Sequence, residues 1–135
     1  MNRDSNETSS TIPILIERSY LDGEGLTKGD PSEFDEDEGV IQEGESIGYS
    51  THTFFQGRLT ASVYETGPGT VRIDGLPYDE YIHILEGRLV LTPDGGKETE
   101  FKQGDSLLIP MGFRGSWHMP EKYREFIIIN SDPGE

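Results

Sequence analysis

The chain contains no cysteine. That removes disulfides, zinc–thiolate ligation and a thiol nucleophile from consideration, and it suits a reducing compartment such as the cytoplasm. Bases are scarce: 11 Lys and Arg stand against 26 Asp and Glu, a formal net charge of −15. Such a field repels a nucleic-acid backbone or an anionic membrane surface, so neither is an expected partner. Long apolar runs are also missing, and no stretch approaches the ~20 residues that a membrane-crossing helix needs. The first eleven residues are polar, without the basic start and apolar core of a secretory signal. Together these absences lead to the expectation of a cytoplasmic protein.

What is abundant is glycine, at 17, with 8 prolines beside an apolar content of 32%. A helical bundle would avoid both residues, whereas short strands joined by turns use them, so the expected class is all-β. A length of 135 residues holds one domain with a sizeable core. The charge divides that length unevenly. The first fifty residues carry 13 acids and 3 bases, centred on Asp30-Pro31-Ser32-Glu33-Phe34-Asp35-Glu36-Asp37-Glu38. This acidic run lacks the alternating ligands and mid-loop glycine of a calcium loop, so it reads as a solvated linker. Residues 1–48 are therefore expected to form an acidic, partly disordered N-terminal arm, and residues 49–135 a barrel. Within the arm, Ile12-Pro13-Ile14-Leu15-Ile16 could add a strand at a sheet edge, since Pro13 has no amide proton to donate.

From Thr51 onward the pattern is that of strands. Arg58 to Glu65 alternates polar with apolar, Thr70 to Asp74 is a further short strand, and residues 80–92 are a long strand broken at Gly87. Pro93-Asp94-Gly95-Gly96 marks a hairpin returning through Lys97 to Lys102. Ser106 to Ile109 reads as a buried run, and Phe113 to Met119 and Arg124 to Asn130 supply the last strands. About eight short strands with turns between them indicate a closed or sandwiched antiparallel sheet. Glu80 stands at the head of its strand, at the mouth of this barrel.

The ordered residues also resemble a family. Glu80 followed by Gly87 is similar to the end of the first cupin motif, and Gly104-Asp105 with Pro110-Met111-Gly112 to the second. Tyr78-Asp79-Glu80, Ile84-Leu85-Glu86-Gly87, Phe113, Gly115 and Trp117 extend the resemblance. It is towards the cupins that include the ethanolamine-utilisation proteins and the domains named after ureidoglycine aminohydrolase. The likeness covers roughly residues 50–130. It implies a single cupin jelly-roll barrel, or double-stranded β-helix. It also implies a homodimer through sheet faces and exchanged N-terminal strands, which would send Ile12 to Ile16 across to a partner.

The usual cupin metal site has two histidines ahead of its glutamate and one after the second motif. Here the upstream places hold Ile73 and Gly75, or Asp74 and Leu76, and the downstream place holds Gly115. One carboxylate in place of three imidazoles and a carboxylate is a poor transition-metal site, so no metal and no cofactor is expected.

The candidate site follows from the resemblance, which implies an inward Glu80, together with strand parity and nearness to the motifs. Glu80 and Trp117 face inward, with Tyr78 and Tyr64 as phenolic donors at the mouth, and Arg72 as a fork for a carboxylate or phosphate. Arg114 is a second base near the motifs. His83 and His118 fall on outward phases, and His52 lies outside every motif. The function expected is binding of a small polar or anionic metabolite among Tyr64, Arg72, Tyr78, Glu80 and Trp117. The alternative is an enzyme of central or nitrogen metabolism in which Glu80 is the general acid or base.

Overall fold

The computed structural model describes residues 11–29, 40–42 and 48–130. Among the described residues, beyond one short helix, α1 (Arg18–Leu21), the elements are strands: β1 (Thr27–Lys28), β2 (Val40–Gln42), β3 (Tyr49–Gln56), β4 (Thr60–Thr66) and β5 (Gly69–Asp74). They continue with β6 (Glu80–Glu86), β7 (Arg88–Pro93), β8 (Thr99–Lys102), β9 (Ser106–Ile109), β10 (Arg114–Met119) and β11 (Tyr123–Ile129). A six-stranded sheet runs β1-β3-β4-β11-β6-β9 and a five-stranded sheet runs β2-β5-β10-β7-β8. Every pairing is antiparallel. This is the antiparallel all-β architecture expected from the strand count, in the jelly-roll form that the resemblance implies.

Period-two patterning decides what each strand buries. In β6 Glu80, Ile82 and Ile84 are buried, while Tyr81 and His83 turn the other way and stay half-buried. In β10 the inward set is Gly115, Trp117 and Met119. Gly87 joins β6 to β7 with φ +86 and lies against the Lys122 carbonyl, where a Cβ would overlap that oxygen. Only glycine satisfies both the positive φ and the close approach. At the next turn, Gly96 N–H donates to Pro93 O at 2.9 Å and closes the hairpin read from Pro93 to Gly96. Two loops are tied together at the Glu80 end: Met111 N–H donates to Asp79 Oδ1 at 2.8 Å and Gly112 N–H to Leu76 O at 2.7 Å.

Part of the arm is bound to the barrel. β1 pairs with β3 and β2 with β5. Tyr20 of α1 stacks on His52 with ring centroids 3.6 Å apart, and Phe54 and Phe126 extend this cluster over the outer face of the six-stranded sheet. Arg124, largely buried, fixes the helix from below. Its Nε donates to Leu21 O at 2.9 Å, and its Nη1 reaches Glu65 Oε2 at 2.8 Å and Glu86 Oε1 at 2.6 Å.

Two local expectations are corrected. Residues 12–16 form no strand within the chain, and Ile12, Ile14, Leu15 and Ile16 are exposed. Ser106 to Ile109 is not wholly buried: as the edge strand of the six-stranded sheet it alternates, leaving Leu108 74% exposed. The disorder expected for residues 1–11, and the solvated linker at the acidic run, fall almost wholly outside the described residues. Among the described residues no helix is long and apolar enough to cross a membrane.

Candidate functional site

The space between the sheets is filled unevenly. One side is closed by Ile82, Ile84, Leu89, Leu91, Leu107 and Ile109. The other is hollow, with a cavity of about 410 Å³. From β3 and β4 it is lined by Thr51, Thr53, Gln56, Thr60, Ser62, Tyr64 and Thr66, a wall of hydroxyls. Part of that wall is already oriented: Thr51 Oγ1 donates to Val63 O at 2.8 Å, and Ser62 Oγ to Thr53 Oγ1 at 3.2 Å. The five-stranded sheet and the loop after it contribute Val71, Ile73, Leu76, Tyr78, Trp117 and Met119. Glu80 and the inward face of β11, namely Tyr123, Glu125, Ile127 and Ile129, complete the lining.

Four of the residues expected from the sequence meet here: Tyr64, Tyr78, Glu80 and Trp117. Glu80 is 4% exposed and lies between Ile109 of β9 and Ile129 of β11. The fifth, Arg72, is not brought to the cavity. Val71 and Ile73 occupy the inward positions of β5, so Arg72 points outward, where its guanidinium holds Asp94 in a fork at 2.8 and 2.6 Å. That hydrogen bond keeps the Asp94 carboxyl below its ordinary range. Arg114 likewise pairs with Asp74 on the outside.

The three histidines are also away from the cavity. His83 Nδ1 is 2.7 Å from Ser106 Oγ, His118 Nδ1 is 2.7 Å from Thr70 Oγ1, and His52 lies under Tyr20.

Two lining residues were not singled out from the sequence. Tyr123 and Glu125 stand two apart on β11 and so share its inward face, and the Tyr123 hydroxyl donates to Glu125 Oε1 at 2.6 Å. Glu125 is 5% exposed, and its carboxyl is pushed up to about 7 by burial, against the pull of the Tyr123 hydrogen bond. The Tyr123 phenol is held well above its usual value by burial first, then by the negative charges of Glu125 and Glu80. The pair therefore keeps a protonated phenol donating to a carboxyl that exchanges its proton near neutrality.

The metal set that the cupin resemblance implies does not fit these residues. Ile73 and Leu76 present alkyl groups to the cavity, Asp74 is turned out to Arg114, and Gly75 occupies a turn at φ +92. At Gly115 a Cβ would overlap the Thr92 carbonyl oxygen and crowd Pro93 Cα at 2.8 Å, so this position has no room for an imidazole. Among the described residues no three His, Cys, Asp or Glu side chains converge as metal ligands do.

The fold and the cavity place the chain among known proteins. The description "EutQ-like cupin domain" matches residues 54–125, more than half of the chain. Among solved structures, the EutQ protein of Clostridium difficile is similar at 21% identity, with 74% of this chain and 81% of that one covered and a TM-score of 0.60. A cupin superfamily protein from Desulfitobacterium hafniense is similar at 18% identity over 61% of this chain and 76% of its own, with a TM-score of 0.54. The polyketide cyclase RemF from Streptomyces resistomycificus shares the fold at 14% identity, over 92% of this chain and 83% of its own, with a TM-score of 0.62. Among functionally curated proteins no sequence match is found. At these identities the solved structures speak for the jelly-roll barrel, and the sequence model speaks for the family: the chain belongs to the EutQ-like cupin domains.

Proposed function

We propose that this chain binds a small, neutral polar molecule in the hollow half of its barrel, without a tightly held metal. One observation carries the reading. Among the described residues the cavity's polar side chains are hydroxyls, one amide, the Trp117 indole and two carboxyls, with no Lys, Arg or His. An apolar core gains nothing from five Ser and Thr side chains turned inward, whereas a polyhydroxylated or amide-bearing ligand meets donors and acceptors on one wall. Trp117 offers the opposite wall a flat apolar face for the ligand's C–H surface. The anionic class expected from the sequence loses its support with Arg72 outside. Among the described residues lining the cavity, an anion would enter beside Glu80 and Glu125 with no cationic side chain to meet it.

The test is a screen of the full chain by thermal unfolding against sugars, polyols, small amides and matched carboxylates. A neutral binder at a hundred times its Kd stabilises by about 2.7 kcal/mol, a shift of several degrees. Trp117→Ala is expected to reduce that shift. If carboxylates alone stabilise the protein, or if nothing does, the reading is wrong.

A further inference from the structure

We propose that Glu125 is a catalytic residue: it takes a proton from the carbon beside the carbonyl of a neutral polyhydroxy compound held in the barrel, and returns it, with Tyr123 positioning its carboxyl. This rests on the binding reading above and adds a reaction to it.

The geometry is specific. Tyr123 Oη is 2.6 Å from Glu125 Oε1, and both side chains open onto the cavity. Across the sheet, Glu125 faces Tyr64 of β4 on one side and Ile84 of β6 on the other. The pairing of β11 with β6 shifts register at Arg124/Glu125, a bulge of the kind that re-aims side chains beside active sites. Among the described residues, the other titratable groups lining the same space are Glu80, Tyr78, Tyr64 and Tyr123. Glu80 enters four residues further along β6, roughly 13 Å of strand from the level of Glu125. Glu125 therefore meets the ligand beside Tyr64 and Tyr123, at a different level of backbone register from Glu80.

A purely structural acceptor for the Tyr123 hydroxyl could be neutral. A glutamine would accept the same bond without the burial penalty of a carboxylate. An ionisable group kept at a cavity wall, with one oxygen held by a phenol that stays protonated, is instead what proton transfer needs: a base available at neutral pH and fixed in direction.

In the step itself the Glu125 carboxylate accepts the C–H proton. The electron pair of that bond becomes the C=C bond as the carbonyl π pair moves to oxygen, giving an enolate and a carboxylic acid. Return of the proton to carbon restores the carbonyl, and the whole cycle needs neither oxidant nor reductant. Among the hydroxyls of β3 and β4, that of Thr53 accepts from Ser62 and can give its own proton to the enolate oxygen.

The experiment is deuterium exchange in heavy water, followed by proton NMR. The full chain is incubated with dihydroxyacetone, D-fructose and D-ribose, with pyruvate as an anionic control. Melting temperature is measured for each mixture. We expect at least one neutral compound to exchange about a hundredfold faster than in buffer, at a rate that rises with pH through a midpoint about 7. Glu125→Gln should fall to the buffer rate with its melting temperature maintained at acid pH and raised above neutrality. Tyr123→Phe should retain exchange with the midpoint moved upward, because the lost hydrogen bond had stabilised the carboxylate. A compound that raises the melting temperature but does not exchange overturns the catalytic role and leaves binding intact. Exchange that survives Glu125→Gln also overturns it. A panel showing neither stabilisation nor exchange overturns both readings.

Discussion

The two halves of the barrel interior share strand β6 and follow opposite rules. On one side Ile82, Ile84, Leu89, Leu91, Leu107 and Ile109 interlock, with Ile82, Ile84 and Leu89 wholly shielded from solvent. On the other side β3, β4 and β11 present hydroxyls, the Tyr64 and Tyr123 phenols and Glu125 to open space, although β11 supplies Ile127 and Ile129 to the same face. The difference is not one of fold, since β6 contributes Ile82 and Ile84 to the packed half and Glu80 to the hollow one. It teaches that the packed half holds the sheets together, which frees the hollow half to keep groups that a core would reject.

If that division is right, substitutions in the two halves will differ in size and in sign. The largest effect is expected in the packed half, where Leu89→Ala should cost about 2–5 kcal/mol by chemical denaturation, from lost burial and a cavity that cannot collapse. Glu125→Gln should act in the opposite direction. Its carboxyl is raised from 4.5 to about 7 in the folded chain, so the folded state binds more protons than the unfolded state between those values. The wild type therefore loses stability as pH climbs through this window, by on the order of 3 kcal/mol, and the loss is complete above it. The glutamine variant escapes this, and its advantage should be present at pH 8 and absent near pH 4, as parallel denaturation series at the two values will show.

Gly115→Ala tests the wall between the halves. The added Cβ meets the Thr92 carbonyl, so a cost of roughly 1–3 kcal/mol is expected, and the histidine variant at this position should fold worse still. The smallest effect belongs to Ser62→Ala, which removes one hydrogen bond to Thr53 in the hollow half. A change of about 1 kcal/mol or less in unfolding free energy is expected, with a weakened response to any neutral ligand.

Much of this was legible in the residues. The strands, the Gly87 break and the inward places of Glu80 and Trp117 follow from period-two alternation and from motifs with few alternatives. Arg72 could have been placed correctly by the same rule, since Val71 and Ile73 on either side of it require the inward phase. Glu125 could not. It precedes Phe126-Ile127-Ile128-Ile129, which is apolar on both phases because one face closes the cavity and the other packs beneath the arm, where Phe126 meets Phe54. With both faces apolar the alternation carries no direction, and a glutamate near the start of such a strand reads as a solvent-facing residue. The hydroxyl wall was hidden for a related reason. Thr and Ser on β3 and β4 look like the exposed phase of a half-buried strand, and only the second sheet turns that phase into a cavity lining.

The central claim is that the hollow half keeps a shielded, protonatable carboxyl facing a ligand space. Carbon-13 NMR of the glutamate side-chain carboxyls, followed from pH 4 to pH 9 in the full chain, tests it most directly. One resonance should titrate with a midpoint about 7 and disappear in Glu125→Gln; a spectrum in which every glutamate titrates in the ordinary range near 4.3 would contradict the account.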